Sequence, residues 1–188
     1  MKKQEQQCNS QYKILTIPNL LSLIRLCMIP LFIWLYCVKE RYVLTGFILI
    51  LSGITDIADG FVARHFHMIS DFGKIFDPIV DKLTQAAMLF CLITRFPLMI
   101  TPLILMLFKE FYMGITGALV IKKTGQVFGA EWHGKVATCM LYGMMILHVV
   151  WYDIPSALSI VTIVACVCMM LISMILYGIR NRNALKRM

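Results

Sequence analysis

Four aspartates stand close together in this chain: Asp56, Asp59, Asp77 and Asp81. The first two are spaced i,i+3 and the last two i,i+4, so each pair would share one face of a helix. The surrounding segments are strongly apolar, and a lone carboxylate at membrane depth costs about 3 kcal/mol or more. Acidic residues at such a depth indicate a functional site. Because few cations lie nearby, four carboxylates need a multivalent metal ion to neutralise their charge. The spacing therefore predicts a metal centre built from two helices.

The residue type narrows the metal and its chemistry. Carboxylate oxygens select hard cations such as Mg²⁺ or Mn²⁺ over soft metals. Four carboxylates suit a two-metal site, whose ions lie roughly 3.5–4 Å apart and stabilise both attacking and leaving oxygens at a phosphorus. The alternative is a structural network of the acids with Arg64, Lys74 and Lys82. We disfavour it because the two lysines can extend to the headgroups and do not require four convergent acids.

The elements that must position these acids are membrane helices. The chain has 188 residues, of which 60% are apolar, against roughly 45–50% in soluble domains. Six apolar runs reach about 20 residues, the length that crosses a bilayer. They are Ile17–Val38, Tyr42–Ala63, Phe72–Thr94, Phe96–Ile121, Trp132–Trp151 and Ile154–Ile179. We therefore expect an all-α polytopic membrane protein with six transmembrane helices and a polar cavity that faces the cytoplasm.

This layout divides the chain into three parts. Residues 1–16 would form a polar interfacial segment, residues 17–180 the membrane domain and residues 181–188 a basic cytoplasmic tail. With six spans both termini lie on one side, where most of the basic residues fall, and the positive-inside rule makes that side cytoplasmic. The net charge of +8 is scattered over helix ends with no basic face, which argues against a nucleic-acid partner and for contact with membrane lipids.

The cysteines and histidines carry less information. The seven cysteines lie mostly in the apolar runs without metal-ligand spacing, and are expected to act as small hydrophobic residues. We expect His65, His67 and His133 to be solvated at the cytoplasmic interface and His148 to lie at the opposite interface.

Residues 56–81 are DIADGFVARHFHMISDFGKIFDPIVD. This segment matches D-x2-D-G-x2-A-R-x8-G-x3-D-x3-D at all its fixed positions, and it resembles the signature of the CDP-alcohol phosphatidyltransferase family. With each residue type at roughly one in twenty, a chance match is far below one in a million. The six-span layout of the chain is similar to that family as well.

The resemblance implies a metal-dependent phosphotransferase that uses CDP-diacylglycerol, with a role for each signature residue. The four aspartates would hold two Mg²⁺ or Mn²⁺ ions, and Asp81 would also be the general base toward the acceptor hydroxyl. Arg64 would pair with the diphosphate through its guanidinium fork. The nucleotide would lie against small or hydroxyl-bearing residues: Thr55, Gly60, Ala63 and Gly73. Members of the family are generally homodimers, so we expect a homodimer, in a bacterial inner membrane.

Two further stretches resemble the phosphatidylglycerophosphate synthase branch of the family: IPNLLSLIR at Ile17–Arg25, and Lys109 followed downstream by WHGKVAT at Trp132–Thr138. That branch transfers the phosphatidyl group to glycerol 3-phosphate and releases CMP. The second phosphate needs cations, and Lys109 and Lys135 are the candidates, with Arg25 third. The alternative is a CMP-forming cardiolipin synthase, which resembles the same stretches and uses phosphatidylglycerol as acceptor. A divalent-cation transporter or scaffold is a remote alternative.

Overall fold

Over the residues that the structure describes, the protein is all-helical, which confirms the predicted class. The structure is a computed structural model that describes residues 17–65, 71–124 and 131–186, and the side chains of residues 20–55, 76–123 and 131–184. Its long helices are α1 Ile17–Cys37, α2 Tyr42–His65, α3 Asp71–Ile93, α4 Ile100–Thr124, α5 Trp132–Val150 and α6 Ser156–Lys186. A short 3₁₀ turn, Pro97–Met99, leads into α4.

Four apolar stretches within these described helices are long enough to cross a membrane. They are Leu20–Cys37, Pro97–Lys123, Trp132–Val150 and Ser156–Ala184, the last with a mean hydropathy of 2.7. Helix α2 adds a shorter apolar part, Tyr42–Thr55, which ends where its aspartates begin. Large apolar side chains such as Phe90 and Phe111 are more than two-thirds exposed. An apolar exterior on apolar helices of this length indicates an integral membrane protein.

Lys39–Arg41, which separate the first two apolar runs, lie in a short turn between α1 and α2. Helix α1 ends just before it, and the carbonyls of Trp34 and Leu35 accept bonds from the N–H groups of Lys39 and Arg41 at 3.1 and 3.0 Å. Glu40, between them, has a φ of 50°, in the left-handed region that residues other than glycine seldom adopt. This single conformation reverses the chain in the few residues available between α1 and α2.

The chain forms two compact units divided between Cys91 and Leu92. In the first unit, α1 packs along α2. Its fully buried side chains include Phe32 on α1, Leu49 on α2 and Met88 on α3. Helix α3 contains Pro78, which removes one backbone hydrogen bond near its start. This unit carries both aspartate pairs.

In the second unit, α4 and α5 both pack against α6. A buried stripe on α4 runs through Met106, Lys109 and Val120, so one lysine occupies a position that otherwise belongs to apolar side chains. Helix α6 continues past residue 180 to Lys186, so most of the predicted tail is helical. Near that end Asn181 donates a hydrogen bond to the Thr116 hydroxyl at 3.0 Å.

His148, in the last turn of α5, is buried within the unit, with its side chain only 1% exposed. Its Nδ1 donates to the Met144 carbonyl at 2.8 Å. Its Nε2 then accepts from the Ser159 hydroxyl at 2.9 Å. With both ring nitrogens satisfied, the imidazole can lie inside the unit without an unpaired polar atom.

Candidate active site

The two aspartate pairs lie on the two helices predicted to carry them. Asp56 and Asp59 fall within α2, in the part that leads to its end at His65, and Asp77 and Asp81 fall in the first half of α3. Because both segments are helical, the i,i+3 and i,i+4 spacings put each pair on one side of its helix. The local prediction behind the candidate site is therefore confirmed, as far as backbone conformation goes.

Asp77 is held by a serine from another helix. Ser22, on α1, is fully buried, and its hydroxyl donates a short hydrogen bond to Oδ1 of Asp77. Asp77 itself is part-exposed. This bond ties the start of α1 to α3 and fixes the orientation of a carboxylate that the sequence marks as a metal ligand.

Asp81 is held from within its own helix. Gln85, one turn further along α3, donates from Nε2 to Oδ2 of Asp81 at 2.9 Å. The Gln85 side chain is 0% exposed. Sequence reasoning missed both Ser22 and Gln85. The i,i+4 spacing of Asp81 and Gln85 was a usable signal for the second of them.

Both partners are neutral donors. A neutral donor orients a carboxylate without cancelling its charge, which is how outer-shell partners support metal ligands. Among the side chains that the structure describes, no three His, Cys, Asp or Glu groups converge on a metal position. Asp77 and Asp81 are the two signature carboxylates in that set, and their hard oxygen atoms fit Mg²⁺ or Mn²⁺.

The remaining signature residues lie on helices, but their side chains are outside the described residues. Five of them belong to α2: Asp56, Asp59, Gly60, Ala63 and Arg64. Gly73 belongs to α3. Also outside the described residues are the polar lead 1–16, and His67 in the connection between α2 and α3.

The Thr55 side chain is among the described ones, and its hydroxyl is hydrogen-bonded to the backbone of its own helix. Oγ1 donates to backbone carbonyls one turn back, with distances of 2.7 Å to Ser52 and 3.1 Å to Leu51. Such a bond uses the only proton of the hydroxyl and leaves its acceptor capacity. The nucleotide contact predicted for Thr55 stays a prediction, and it would have to use that acceptor capacity.

The three cations predicted for the acceptor phosphate differ in exposure. Arg25, on α1 in the first unit, is 1% exposed, and Lys109, on α4 in the second unit, is 6% exposed. Lys135, on α5, is exposed. A lysine is almost never buried this far in an apolar helix unless it has a partner or a function. Lys109 interacts with other groups of the protein, which accounts for its burial.

The predicted solvation of His133 is wrong. Its side chain is 2% exposed and its ring packs against Tyr177 with centroids 4.4 Å apart. Nε2 lies 3.0 Å from Glu131 Oε2, and Nδ1 lies 3.2 Å from Ser173 Oγ. A carboxylate only accepts, so Nε2 carries the proton and Nδ1 accepts from the serine.

This histidine is part of a polar cluster that joins the start of α5 to the end of α6, and sequence reasoning missed it. Arg180 donates from Nη1 to Glu131 at 3.0 Å. The Glu131 backbone N–H donates to the Tyr177 hydroxyl at 2.8 Å. Gly134 faces the same tyrosine, and a Cβ there would lie 2.5 Å from the hydroxyl oxygen. The cluster fixes the helix turn that bears Lys135.

The Glu131 carboxylate makes stability depend on pH. The hydrogen bond from Arg180 is the main cause that holds the pKa of Glu131 below its ordinary value of 4.5. Since the folded-state pKa is lowered, the stabilisation is present above pH 4.5 and is lost as pH falls through the folded pKa. We expect Glu131→Gln to lower the melting temperature of the purified protein at neutral pH. The difference from wild type should shrink on acidification.

Asp153→Asn provides the matched control for this measurement. Asp153 also pairs with an arginine, Arg95, but at 3.4 Å and with the carboxylate side chain 87% exposed. Exposed pairs of this kind contribute little, so its melting curve should follow wild type at every pH. A Glu131→Gln deficit that persists unchanged in acid would contradict the assignment to the ionised carboxylate.

Comparison with known proteins decides the family. The family model described as CDP-alcohol phosphatidyltransferase matches residues 15–177, which is most of the chain. The chain belongs to the CDP-alcohol phosphatidyltransferase family. The match contains both acid-bearing helices and Ser22, Gln85, Lys109 and Lys135, so the two hydrogen bonds to Asp77 and Asp81 lie within the family domain.

The relatives that this chain resembles include both glycerol-3-phosphate phosphatidyltransferases and putative cardiolipin synthases. A protein of Rickettsia typhi named CDP-diacylglycerol–glycerol-3-phosphate 3-phosphatidyltransferase is 34% identical over 97 residues, covering 50% of this chain and 54% of that protein. One of Bacillus subtilis with the same name is 27% identical over 158 residues, covering 74% of this chain and 81% of that protein. A putative cardiolipin synthase of Mycobacterium bovis is 40% identical over 74 residues, covering 39% and 35%. This chain thus spans about half the length of the Rickettsia relatives it matches.

Proposed function

We propose that this protein transfers the phosphatidyl group of CDP-diacylglycerol to a hydroxyl of glycerol 3-phosphate and releases CMP. The observation that carries the proposal is the complete family signature, with Asp77 and Asp81 on one side of α3 and each carboxylate oriented by a buried neutral donor. The names of the Rickettsia and Bacillus relatives support glycerol 3-phosphate as the acceptor.

Asp56, Asp59, Asp77 and Asp81 would hold the divalent metal, Mg²⁺ or Mn²⁺. When bound, such ions neutralise a diphosphate and stabilise charge on the attacking and leaving oxygens. Asp81 would take the proton of the acceptor hydroxyl while the hydroxyl oxygen forms a bond to the lipid-linked phosphorus. The bond from that phosphorus to the CMP oxygen breaks, and CMP leaves with its charge paired to Arg64. The protein contributes mainly position and electrostatics.

The substrates would be bound by the residues around these acids. Gly60, Ala63 and Gly73 would leave room for the nucleotide, with Thr55 beside them. Lys109 and Lys135 would pair with the acceptor phosphate.

The same proposal places the protein in the membrane. Six spans would bring both termini and the inner end of the aspartate helices to the cytoplasmic side of a bacterial inner membrane, where water-soluble acceptor and CMP can exchange through a polar cavity. The membrane domain would occupy residues 17–180, between the interfacial segment 1–16 and the tail 181–188. A homodimer is the expected assembly.

A cardiolipin synthase that uses phosphatidylglycerol is the second candidate, supported by the similarity to the putative mycobacterial enzyme. Both candidates share the chemistry at the aspartates and differ in the acceptor. A transporter or scaffold that binds a divalent cation is the remote third, supported only by the intramembrane acids.

The test is CMP release by detergent-purified protein given CDP-diacylglycerol and Mg²⁺ or Mn²⁺. Acceptors are supplied one at a time: glycerol 3-phosphate, phosphatidylglycerol, serine and inositol phosphate. We expect turnover with glycerol 3-phosphate and its loss on addition of a chelator. Turnover with phosphatidylglycerol alone would move the protein to cardiolipin synthesis. No release by folded, metal-binding protein would favour the transporter.

A further inference from the structure

One end of the Gln85 amide is hydrogen-bonded, and the other end has no hydrogen bond to any residue that the structure describes. Its side chain is fully buried on α3, and Nε2 donates to Asp81. Its Oε1 has no hydrogen-bond partner among the side chains and backbone that the structure describes. Buried polar atoms nearly always have a hydrogen-bond partner, so an unpaired one beside a reactive carboxylate indicates a binding position for a ligand.

The orientation of this amide follows from chemistry. An ionised carboxylate can only accept hydrogen bonds, so the NH₂ end of Gln85 must face Asp81 and the carbonyl oxygen must be the unpaired end. Both ends are bonded to one carbon, which places Oε1 close to the carboxylate. A bare carbonyl oxygen accepts hydrogen bonds and cannot donate. Its ligand therefore brings a donor, such as a hydroxyl group.

Asp81 is where the acceptor hydroxyl would lose its proton, so a second hydroxyl on the adjacent carbon would lie near Gln85. Glycerol 3-phosphate and the glycerol headgroup of phosphatidylglycerol both carry such a pair of neighbouring hydroxyls, whereas serine carries a single one. Resting on the proposed function, we infer that Gln85 is a specificity residue that binds the second hydroxyl of a 1,2-diol acceptor through Oε1. Asp81 and Gln85 would then contact the two hydroxyls side by side.

The same geometry gives Gln85 two separable effects. Through Nε2 it positions Asp81, and loss of this bond slows the reaction with any acceptor. Through Oε1 it distinguishes acceptors, and loss of this bond matters only when the second hydroxyl is present. The ratio of two acceptors measured on one preparation isolates the second effect, because any loss of folded protein cancels.

The experiment compares kcat/KM for glycerol 3-phosphate and for 3-hydroxypropyl phosphate, which lacks only the second hydroxyl. Wild type should prefer the diol by about 10- to 100-fold, the effect of leaving one buried acceptor unpaired. In Gln85→Met, which keeps the length of the side chain, the preference should fall to about one. Gln85→Asn, which retains a carbonyl in a shorter side chain, should keep part of the preference.

A parallel arm with phosphatidylglycerol and phosphatidyl-1,3-propanediol separates the two sources of the diol, since the preference should appear in whichever arm is active. Thr84→Val is the matched control. Thr84 is equally buried next to Gln85, but its hydroxyl is bonded to the Val80 carbonyl, so its removal should leave the preference unchanged.

A wild-type enzyme that uses diol and single-hydroxyl acceptors equally would overturn the inference without any variant. So would a preference that survives in Gln85→Met, since Gln85 would then only position Asp81. Absence of CMP release from wild type with every acceptor is a different result, which overturns the proposed function and this inference with it.

Discussion

Asp81→Asn should reduce CMP release by roughly 10³- to 10⁴-fold, the range that loss of a general base produces. The amide cannot take a proton from the acceptor hydroxyl, and it is a poorer metal ligand than a carboxylate. The protein should still fold, because the introduced amide oxygen can accept the bond that Gln85 now donates to Asp81. The measurement is single-acceptor turnover with saturating metal, beside the melting temperature of the variant.

Asp71→Asn is the control on the same helix. Asp71 opens α3 and occupies a variable position of the family signature, so its substitution should leave turnover near wild type. Substantial activity in Asp81→Asn, with folding intact in both variants, would show that another group accepts the proton.

Lys109→Met should lower kcat/KM for glycerol 3-phosphate by about 10- to 100-fold, since a charge-assisted hydrogen bond to phosphate contributes roughly 1.5–3 kcal/mol. The loss should appear mainly in KM, because the ammonium binds the phosphate equally before and during reaction. Methionine matches the length of the lysine stem, and replacing a buried charge by an apolar side chain need not destabilise a helix bundle. Turnover across a range of glycerol 3-phosphate concentrations gives both constants.

Lys122→Met is the matched control for this variant. Lys122 lies in the last turn of the same helix and is exposed, so its removal should leave KM unchanged. If Lys109→Met behaves like Lys122→Met while wild type uses glycerol 3-phosphate, Lys109 is a structural cation and Lys135 or Arg25 must meet the phosphate.

The helices were predictable because they depend on residues near one another in sequence. The acid spacings predicted which acids share a side of α2 and of α3, and the charged residues Lys39–Arg41 separate the first two apolar runs. Such local patterns can be identified directly from the periodicity and composition of the sequence. The same is true of the apolar length of α6.

The buried histidines could not be predicted in this way. His133 is inside the protein because Ser173 and Tyr177, far along the chain, satisfy and cover its ring. His148 is inside because Ser159 completes its hydrogen bonds. A polar residue near a helix end is usually solvated, and only the tertiary partner reverses that expectation. Ser22 escaped notice for the same reason, since its acceptor, Asp77, belongs to another helix.

The close approach of Gly134 and Tyr177 has a consequence for how this sequence can vary. With Tyr177 in place, the Cβ of any larger residue at 134 would lie 2.5 Å from the phenol oxygen. Replacement of the glycine therefore requires the tyrosine side chain to move or to change. Phenylalanine at 177 would remove that closest contact, leaving two ring carbons 3.1 and 3.2 Å from a Cβ at 134, but it would also remove the hydroxyl that accepts the Glu131 N–H. We therefore expect natural variants with a larger residue at 134 to carry a smaller residue at 177 as well.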